Sequence, residues 1–395
     1  MIYRIPECNL VQELKNIGVN PASIEIFMNK AAILPLKILK VRTPAANIIK
    51  QEMLACGGDC AVHACCITCS REHSDILLLG TLKHYRHILG KLGQMNYFGI
   101  AQISMRLSQF LSRQEIATQL ADGRKLVYDR VAVMGIINVT PDSFYAGSRA
   151  TQISAVLSQA GKMLEDGAQI LDIGGESTRP GAADVTEDEE KARIVPVVRE
   201  LRKQYPQAIL SVDTYNASTA EEAIFCGADI INDISAATAD PTMEEVVLRN
   251  RVPIIIMHIG AEISNMHTVA NYNNVVEEVA EYLFDRAAKL ESMGIGREKV
   301  IIDPGIGFAK NVGHNLKLMQ GLSQLAGNGY PVLLAASRKS TIGSVLGGLP
   351  SDERLYGTIA TSCQAVYSGA NLIRVHDVKE NVQAVRMLEA VLKCQ

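Results

Sequence analysis

Eight short apolar runs, each ending in a polar cluster, recur along the chain: Val131–Asn138, Gln169–Gly175, Ala208–Asp213, Asp229–Asp233, Val252–His258, Val300–Asp303, Val332–Arg338 and Leu372–Asp377. They are rich in Ile and Val and too short for helices, so each predicts a strand. The segments between them carry helical periodicity. In Val275–Met293, for example, Val275, Val276, Val279, Leu283, Ala287 and Leu290 form an apolar stripe at spacings of three and four. Gly167, Gly227, Gly294 and Gly369 fall where helices should end, because a left-handed residue is cheap for glycine. Strand then helix, eight times over, predicts an α/β fold of the TIM (β/α)8 barrel type. The polar clusters all sit at the C-terminal ends of the strands, the end that carries chemistry in this architecture.

Upstream of Val127 the alternation stops. Residues 9–34 read as helical, and Pro35 and Pro44 read as breaks in the segment after them; Ile76–Gly80 reads as a strand, and Leu82–Leu92 and residues 99–118 as helices. The composition changes near Ala121-Asp122-Gly123-Arg124, so the expected organisation is a small α/β N-terminal appendage over residues 1–122 and a barrel over 123–395.

The chain has 395 residues, enough for a barrel of about 250 plus this appendage. Its apolar share of 48 % permits a large core. A net charge of −3 with interspersed signs offers no basic stripe for nucleic acid. No signal-peptide pattern and no bilayer-length apolar run is visible, so a soluble cytoplasmic protein is expected. Of nine cysteines, Cys56, Cys60, Cys65, Cys66 and Cys69 cluster near His63 and His73. Only Cys66–Cys69 has a CxxC spacing and no distal pair accompanies it, so the cluster reads either as a metal site or as small apolar core residues.

The strand ends supply two sets of groups. Asp213, Asn232, Asp303 and Lys339 would converge on one mouth and suit a flat heterocycle bearing several N–H donors and a carbonyl. Any single Asp equally suits a helix cap, and the reading rests on the whole set at strand ends. Arg374 and His376, with Arg179 on the loop after the second strand, form a cationic set at the place where barrels commonly hold phosphate. The alternative for Arg374 is a surface ion pair with Asp377. Asn138 could supply an oxygen to a Mg²⁺ bridging phosphates. Gly305 and Gly307 allow close backbone approach, and Phe308 either stacks on a ring or plugs the mouth.

The runs Met134-Gly135-Ile136-Ile137-Asn138-Val139-Thr140-Pro141-Asp142-Ser143-Phe144, Asp172 to Gly181, Asp303 to Phe308, Ser337-Arg338-Lys339-Ser340 and Arg374-Val375-His376-Asp377 closely resemble those of the dihydropteroate synthases, over about residues 127–393. The resemblance implies condensation of 6-hydroxymethyl-7,8-dihydropterin pyrophosphate with p-aminobenzoate to 7,8-dihydropteroate and pyrophosphate, with Mg²⁺, in a homodimer. It implies that Asp213, Asn232, Met257, Asp303, Phe308 and Lys339 bind the pterin. Asn138, Arg374 and His376 would bind the pyrophosphate, with Asn138 also on the metal. Phe144, Thr178, Pro180 and Ser340 would meet p-aminobenzoate, and Lys339, Asp213, Asp303 and Arg179 would carry catalysis. Two departures stand out. The family's Ser-Phe-Ser-Asp-Gly reads Ser143-Phe144-Tyr145-Ala146-Gly147 here, removing a loop carboxylate, and the turn after Met257-His258 lacks the family's Gly-x-Pro. Two rival functions remain open at this point: a pterin-binding methyltransferase domain, which needs no pyrophosphate clamp, and a non-catalytic pterin sensor, which Ala146 would suit.

Overall fold

The computed structural model describes residues 5, 9–112, 115–139, 149–175, 185–261, 268 and 270–393, the side chains of 149–152 excepted. Two compact units divide the chain: Gln114–Val391, and Met1–Arg113 together with Leu392–Gln395.

The N-terminal unit contains α1 (Leu10–Ile17), α2 (Pro21–Ala31), β1 (Leu34–Arg42), α3 (Thr43–Ala55), β2 (Asp59–Val62), β3 (His73–Gly80), α4 (Leu82–Leu92) and α5 (Ile100–Leu111). Its antiparallel sheet has the order β1-β3-β2. The helix expected over 9–34 is two helices, because Gly18 closes α1 in a left-handed conformation and Asn20 caps α2 ahead of Pro21. The prolines act differently from expectation. Pro35 sits in edge strand β1, where a missing N–H is tolerated, and Pro44 opens α3, where the N–H would be unbonded anyway. The helix expected over 99–118 ends at Leu111. Cys60 and Cys66 are buried, and Cys60 belongs to the unit's apolar core beside Met53, Leu78 and Tyr85. Among the described residues no group of His, Cys, Asp and Glu side chains is arranged to hold a metal.

In the second unit a hairpin comes first: β4 (Ala117–Gln119) and β5 (Lys125–Val127), turning through Ala121–Arg124. Next come β6 (Ala132–Asn138), α6 (Arg149–Glu165), β7 (Ile170–Gly174), α7 (Glu187–Gln204), β8 (Ile209–Asp213), α8 (Ala217–Phe225), β9 (Ile230–Asp233), α9 (Met243–Asn250) and β10 (Ile254–Met257). The remainder is α10 (Val275–Ser292), β11 (Val300–Asp303), α11 (Val312–Gln320), β12 (Leu333–Leu334), α12 (Ser340–Val345), α13 (Leu355–Tyr367), β13 (Leu372–Val375) and α14 (Val378–Lys393). The eight strands pair in parallel in the order β11-β10-β9-β8-β7-β6-β13-β12, and a bridge from Ile302 to Val332 joins the two ends, closing the barrel. No helix among the described residues is long and apolar enough to cross a membrane. The seventh strand is the shortest, two residues against an expected seven. The chain leaves the sheet early because it turns, with Lys339 N–H donating to the Ala336 carbonyl and Arg338 at φ 56°.

Alternation along the strands sorts the core into an outer and an inner part. Outward residues such as Val133, Leu171, Val212, Ile231, Ile256 and Ile373 pack with the helices. Inward residues near the strand starts, Met134, Ile170, Ile230, Ile255, Ile301, Leu333 and Leu372, form a separate apolar layer with Leu120 and Leu126 of the hairpin. The hairpin therefore belongs to the barrel, whose N-terminal mouth it closes. The expected boundary at 122/123 falls in its turn.

Candidate active site

Two residues beyond that apolar layer, the same inward face becomes polar. Ile170 gives way to Asp172, Ile230 to Asn232, Ile301 to Asp303 and Leu372 to Arg374. The register sets Asn138 beside Gly174, Gly174 beside Asp213, and Asp213 beside Asn232, with Met257 beside Asp303 across the barrel. Asp172 is fully buried, and Asn232, Met257, Asp303 and Phe308 nearly so.

Arg374 organises one side. Its Nε donates to Asp172 Oδ2 at 2.6 Å and its Nη2 to Asp213 Oδ2 at 2.7 Å, while Asn232 Nδ2 donates to Asp172 Oδ2 at 3.3 Å. Burial opposes the guanidinium charge, but the flanking carboxylates outweigh it and raise its pKa. Burial raises the Asp213 carboxyl; Arg374 pulls it back and Asp172 pushes it up again. The surface pairing of Arg374 with Asp377 does not form. Asp377 instead receives Arg338 Nε at 2.9 Å and Nη2 at 2.5 Å, because Arg374 alternates with outward Val375 and so faces the barrel axis.

The other side is built on the loop after β11. Asp303 Oδ1 accepts the Gly305 N–H at 2.7 Å, and burial raises the Asp303 carboxyl against the pull of Lys339. Lys339 donates to the Ile306 carbonyl, and its ammonium lies 4.6 Å from the Phe308 ring centroid. Burial lowers the Lys339 amine to about 8, against the pull of Asp303. Phe308 packs with Met257, Ile234 and Ile259 in a small apolar cluster. A Cβ on Gly305, at φ +69°, would lie 2.0 Å from the His258 carbonyl oxygen, so glycine is required where these two loops cross. His376 Nδ1 lies 2.9 Å from Ser337 Oγ, which also accepts the His376 backbone N–H.

The structure thus brings Asp213, Asn232, Asp303, Lys339, Arg374, Met257 and Phe308 to one mouth. Asn138 ends β6 half-buried, and Ser340 is exposed as the first residue of α12. Phe144, Ala146, Thr178, Arg179 and Pro180 lie outside the described residues. Sequence reasoning assigns no role to Asp172 or Lys310. Asp172 could be found that way, since it stands on the same inward alternation as Ile170 and Gly174. Lys310 carries no such signal, because it lies in a loop.

A closed parallel barrel whose dry C-terminal mouth matches acceptors against cations defines the class: an enzyme that seats a donor-rich ring there. Residues 134–376 match the family of pterin binding enzymes. The dihydropteroate synthase of Bacillus subtilis is 46% identical over 264 residues, 67% of this chain and 90% of that protein. Two solved structures of Xanthomonas albilineans dihydropteroate synthase superpose on the fold. One, with 4-aminobenzoic acid, has a TM-score of 0.67 at 38% identity, covering 71% of this chain and 100% of the other. The second, with 7,8-dihydropteroate, has a TM-score of 0.64 at 37% identity with the same coverage. Within the pterin binding enzymes, the chain belongs to the dihydropteroate synthase family.

Proposed function

We propose that the barrel mouth condenses 6-hydroxymethyl-7,8-dihydropterin pyrophosphate with p-aminobenzoate, giving 7,8-dihydropteroate and pyrophosphate for folate synthesis. The observation that carries this reading is the buried cluster in which Asp172, Asp213 and Arg374 interlock beside Asn232, Asp303 and Lys339. Asp213, Asn232 and Asp303 accept from and donate to the pterin edge, Lys339 meets its carbonyl side, and Met257 and Phe308 pack its faces. Each unmatched polar atom in so dry a site would cost about 1–3 kcal/mol, which is the source of ring selectivity.

Arg374, His376 and Asn138 face the diphosphate. No group of described His, Cys, Asp and Glu residues is built to hold a cation by itself. The Asn138 side-chain oxygen would hold a Mg²⁺, an ion that takes oxygen ligands. Bound there, that ion would neutralise leaving-group charge. The chain's own part is electrostatic. Asp213 and Asp303, held in place, stabilise in their ionised forms the positive charge developing on the pterin methylene as the C–O bond breaks. The aryl amine then forms the C–N bond and loses its proton, needing orientation more than activation. Thr178, Arg179, Pro180 and Phe144 belong in this reading to loops that exclude water and frame p-aminobenzoate, with Ser340 receiving its carboxylate. The reading extends to a homodimer working in the cytoplasm.

Pyrophosphate release from the pterin substrate, measured with and without p-aminobenzoate, tests the proposal. Release that requires the amine supports it, whereas tight pterin binding with no release marks a sensor. In a series of substituted anilines, steep dependence of the chemical step on amine basicity would sink the dissociative mechanism.

A further inference from the structure

A second lysine stands behind the first. Lys310 is only 7 % exposed. Its Nζ lies 3.0 Å from the His258 carbonyl, 3.1 Å from the Gly305 carbonyl, 3.0 Å from the Phe308 carbonyl and 3.0 Å from His258 Nδ1. Burial lowers the Lys310 amine to about 7 against the pull of Asp303, and in its charged form its three donors are shared among these four acceptors. His258 is nearly buried too, and burial with the adjacent Lys310 charge lowers its pKa to about 3. The imidazole is therefore neutral and can present the Nδ1 lone pair to the ammonium.

The partners come from two different strand ends. His258 comes directly after Met257 at the end of β10, and Gly305 and Phe308 lie beyond Asp303 at the end of β11. Between them the loop twists through positive φ at Gly305, Gly307 and Ala309. The twist turns the Gly305 and Phe308 carbonyls toward Lys310 while the Ile306 carbonyl receives Lys339. Converging carbonyls without a donor between them would repel in a dry site, although the Gly305 carbonyl also accepts the Phe308 N–H at 3.3 Å. The peptide units that Lys310 grips also reach the pterin groups. Gly305 donates its N–H to Asp303 Oδ1, and Phe308 carries the ring under Lys339.

We infer that Lys310 is a positioning residue: by clamping the β10 and β11 loops together it orients the Asp303 carboxylate and the Phe308 ring for the pterin, without touching substrate. The inference rests on the proposed reaction.

The experiment is a steady-state comparison of wild type, Lys310→Met, Phe308→Leu and the double variant, each checked for folding by circular dichroism. Methionine keeps the apolar stem and removes the donors. Loss of alignment should lower kcat/KM for the pterin substrate by about 100-fold, with KM for p-aminobenzoate almost unmoved. The Lys310→Met loss should shrink on the Phe308→Leu background, because both substitutions then disturb one arrangement. Equal factors on both backgrounds, equal losses for both substrates, or wild-type kcat/KM in Lys310→Met would each overturn the inference. Should Lys310→Met fail to fold, Lys310→Gln, whose amide keeps two donors, is judged by the same criteria with a smaller expected loss. Wild type without amine-dependent release would instead defeat the proposed reaction itself, so the two failures are distinguishable.

Discussion

The two mouths of the barrel are made from the same strands, two residues apart, yet they do opposite work. At the N-terminal mouth the inward residues Ile170, Ile230, Ile301 and Leu372 close over Leu120 and Leu126 of the hairpin in an apolar layer. At the C-terminal mouth the next inward residues on those strands are Asp172, Asn232, Asp303 and Arg374. Burial stabilises the first layer, because it removes apolar surface from water. It strains the second, raising the Asp213 and Asp303 carboxyls and lowering the Lys339 amine. Stability and chemistry are thus separated along one strand face, and the barrel can hold costly polar groups in register because its other end is closed and dry.

Asp172 is where the separation should break most severely. Asp172→Ala leaves Arg374 with Asp213 as its remaining carboxylate and takes the acceptor from Asn232, and a loss of about 3 kcal/mol is expected in denaturant unfolding, together with weaker pterin binding. Next comes Lys339→Ala, expected to lower turnover by roughly 10²–10³-fold while thermal unfolding stays near wild type. A midpoint that falls along with the rate would show that the polar mouth also carries the fold. Leu120→Ala inverts that pattern: the residue is 2 % exposed, so unfolding free energy should drop by about 2–4 kcal/mol, with turnover per folded molecule unchanged.

The pH profile sharpens the comparison further. Burial raises the Asp213 carboxyl to about 7 and the Asp303 carboxyl above the ordinary range, so acidification neutralises them early and kcat/KM for the pterin substrate should fall as pH drops through about 7. On the alkaline side Lys339 loses its proton near 8, and kcat/KM should fall again as pH rises through that value. A flat profile from about pH 4 to about pH 9 would contradict these electrostatics. The smallest effect is expected at the N-terminal unit's buried Cys66, where Cys66→Ala should leave turnover within about two-fold of wild type, since a buried thiol acts as a small apolar group.

The eight strands are legible in the sequence because a parallel strand covered by helices is almost wholly apolar, and Ile-Val runs of strand length are hard to read otherwise. Their C-terminal polar ends are legible for the same reason, since each polar cluster interrupts such a run. The N-terminal unit is harder to read. Pro44 looks like a breaker in sequence, although at a helix start it is a nucleating residue. β2 and the β4–β5 hairpin escape detection because three- and four-residue strands carry too little periodicity to register. The pairing of Arg374 with Asp172 stays open in sequence, and the role of Lys310 is invisible there, since partners 202 and 52 positions distant leave no local trace.

By itself the sequence determined the barrel, the family and the set of inward polar residues, because alternation and strand-end position are local properties of a chain. Tertiary structure alone decided which charges touch: Arg374 between Asp172 and Asp213, Lys310 between two loops, and Asp377 on Arg338 rather than Arg374. Those choices come from strand stagger and loop twist around a closed sheet, where a single ångström decides whether a buried charge finds a partner.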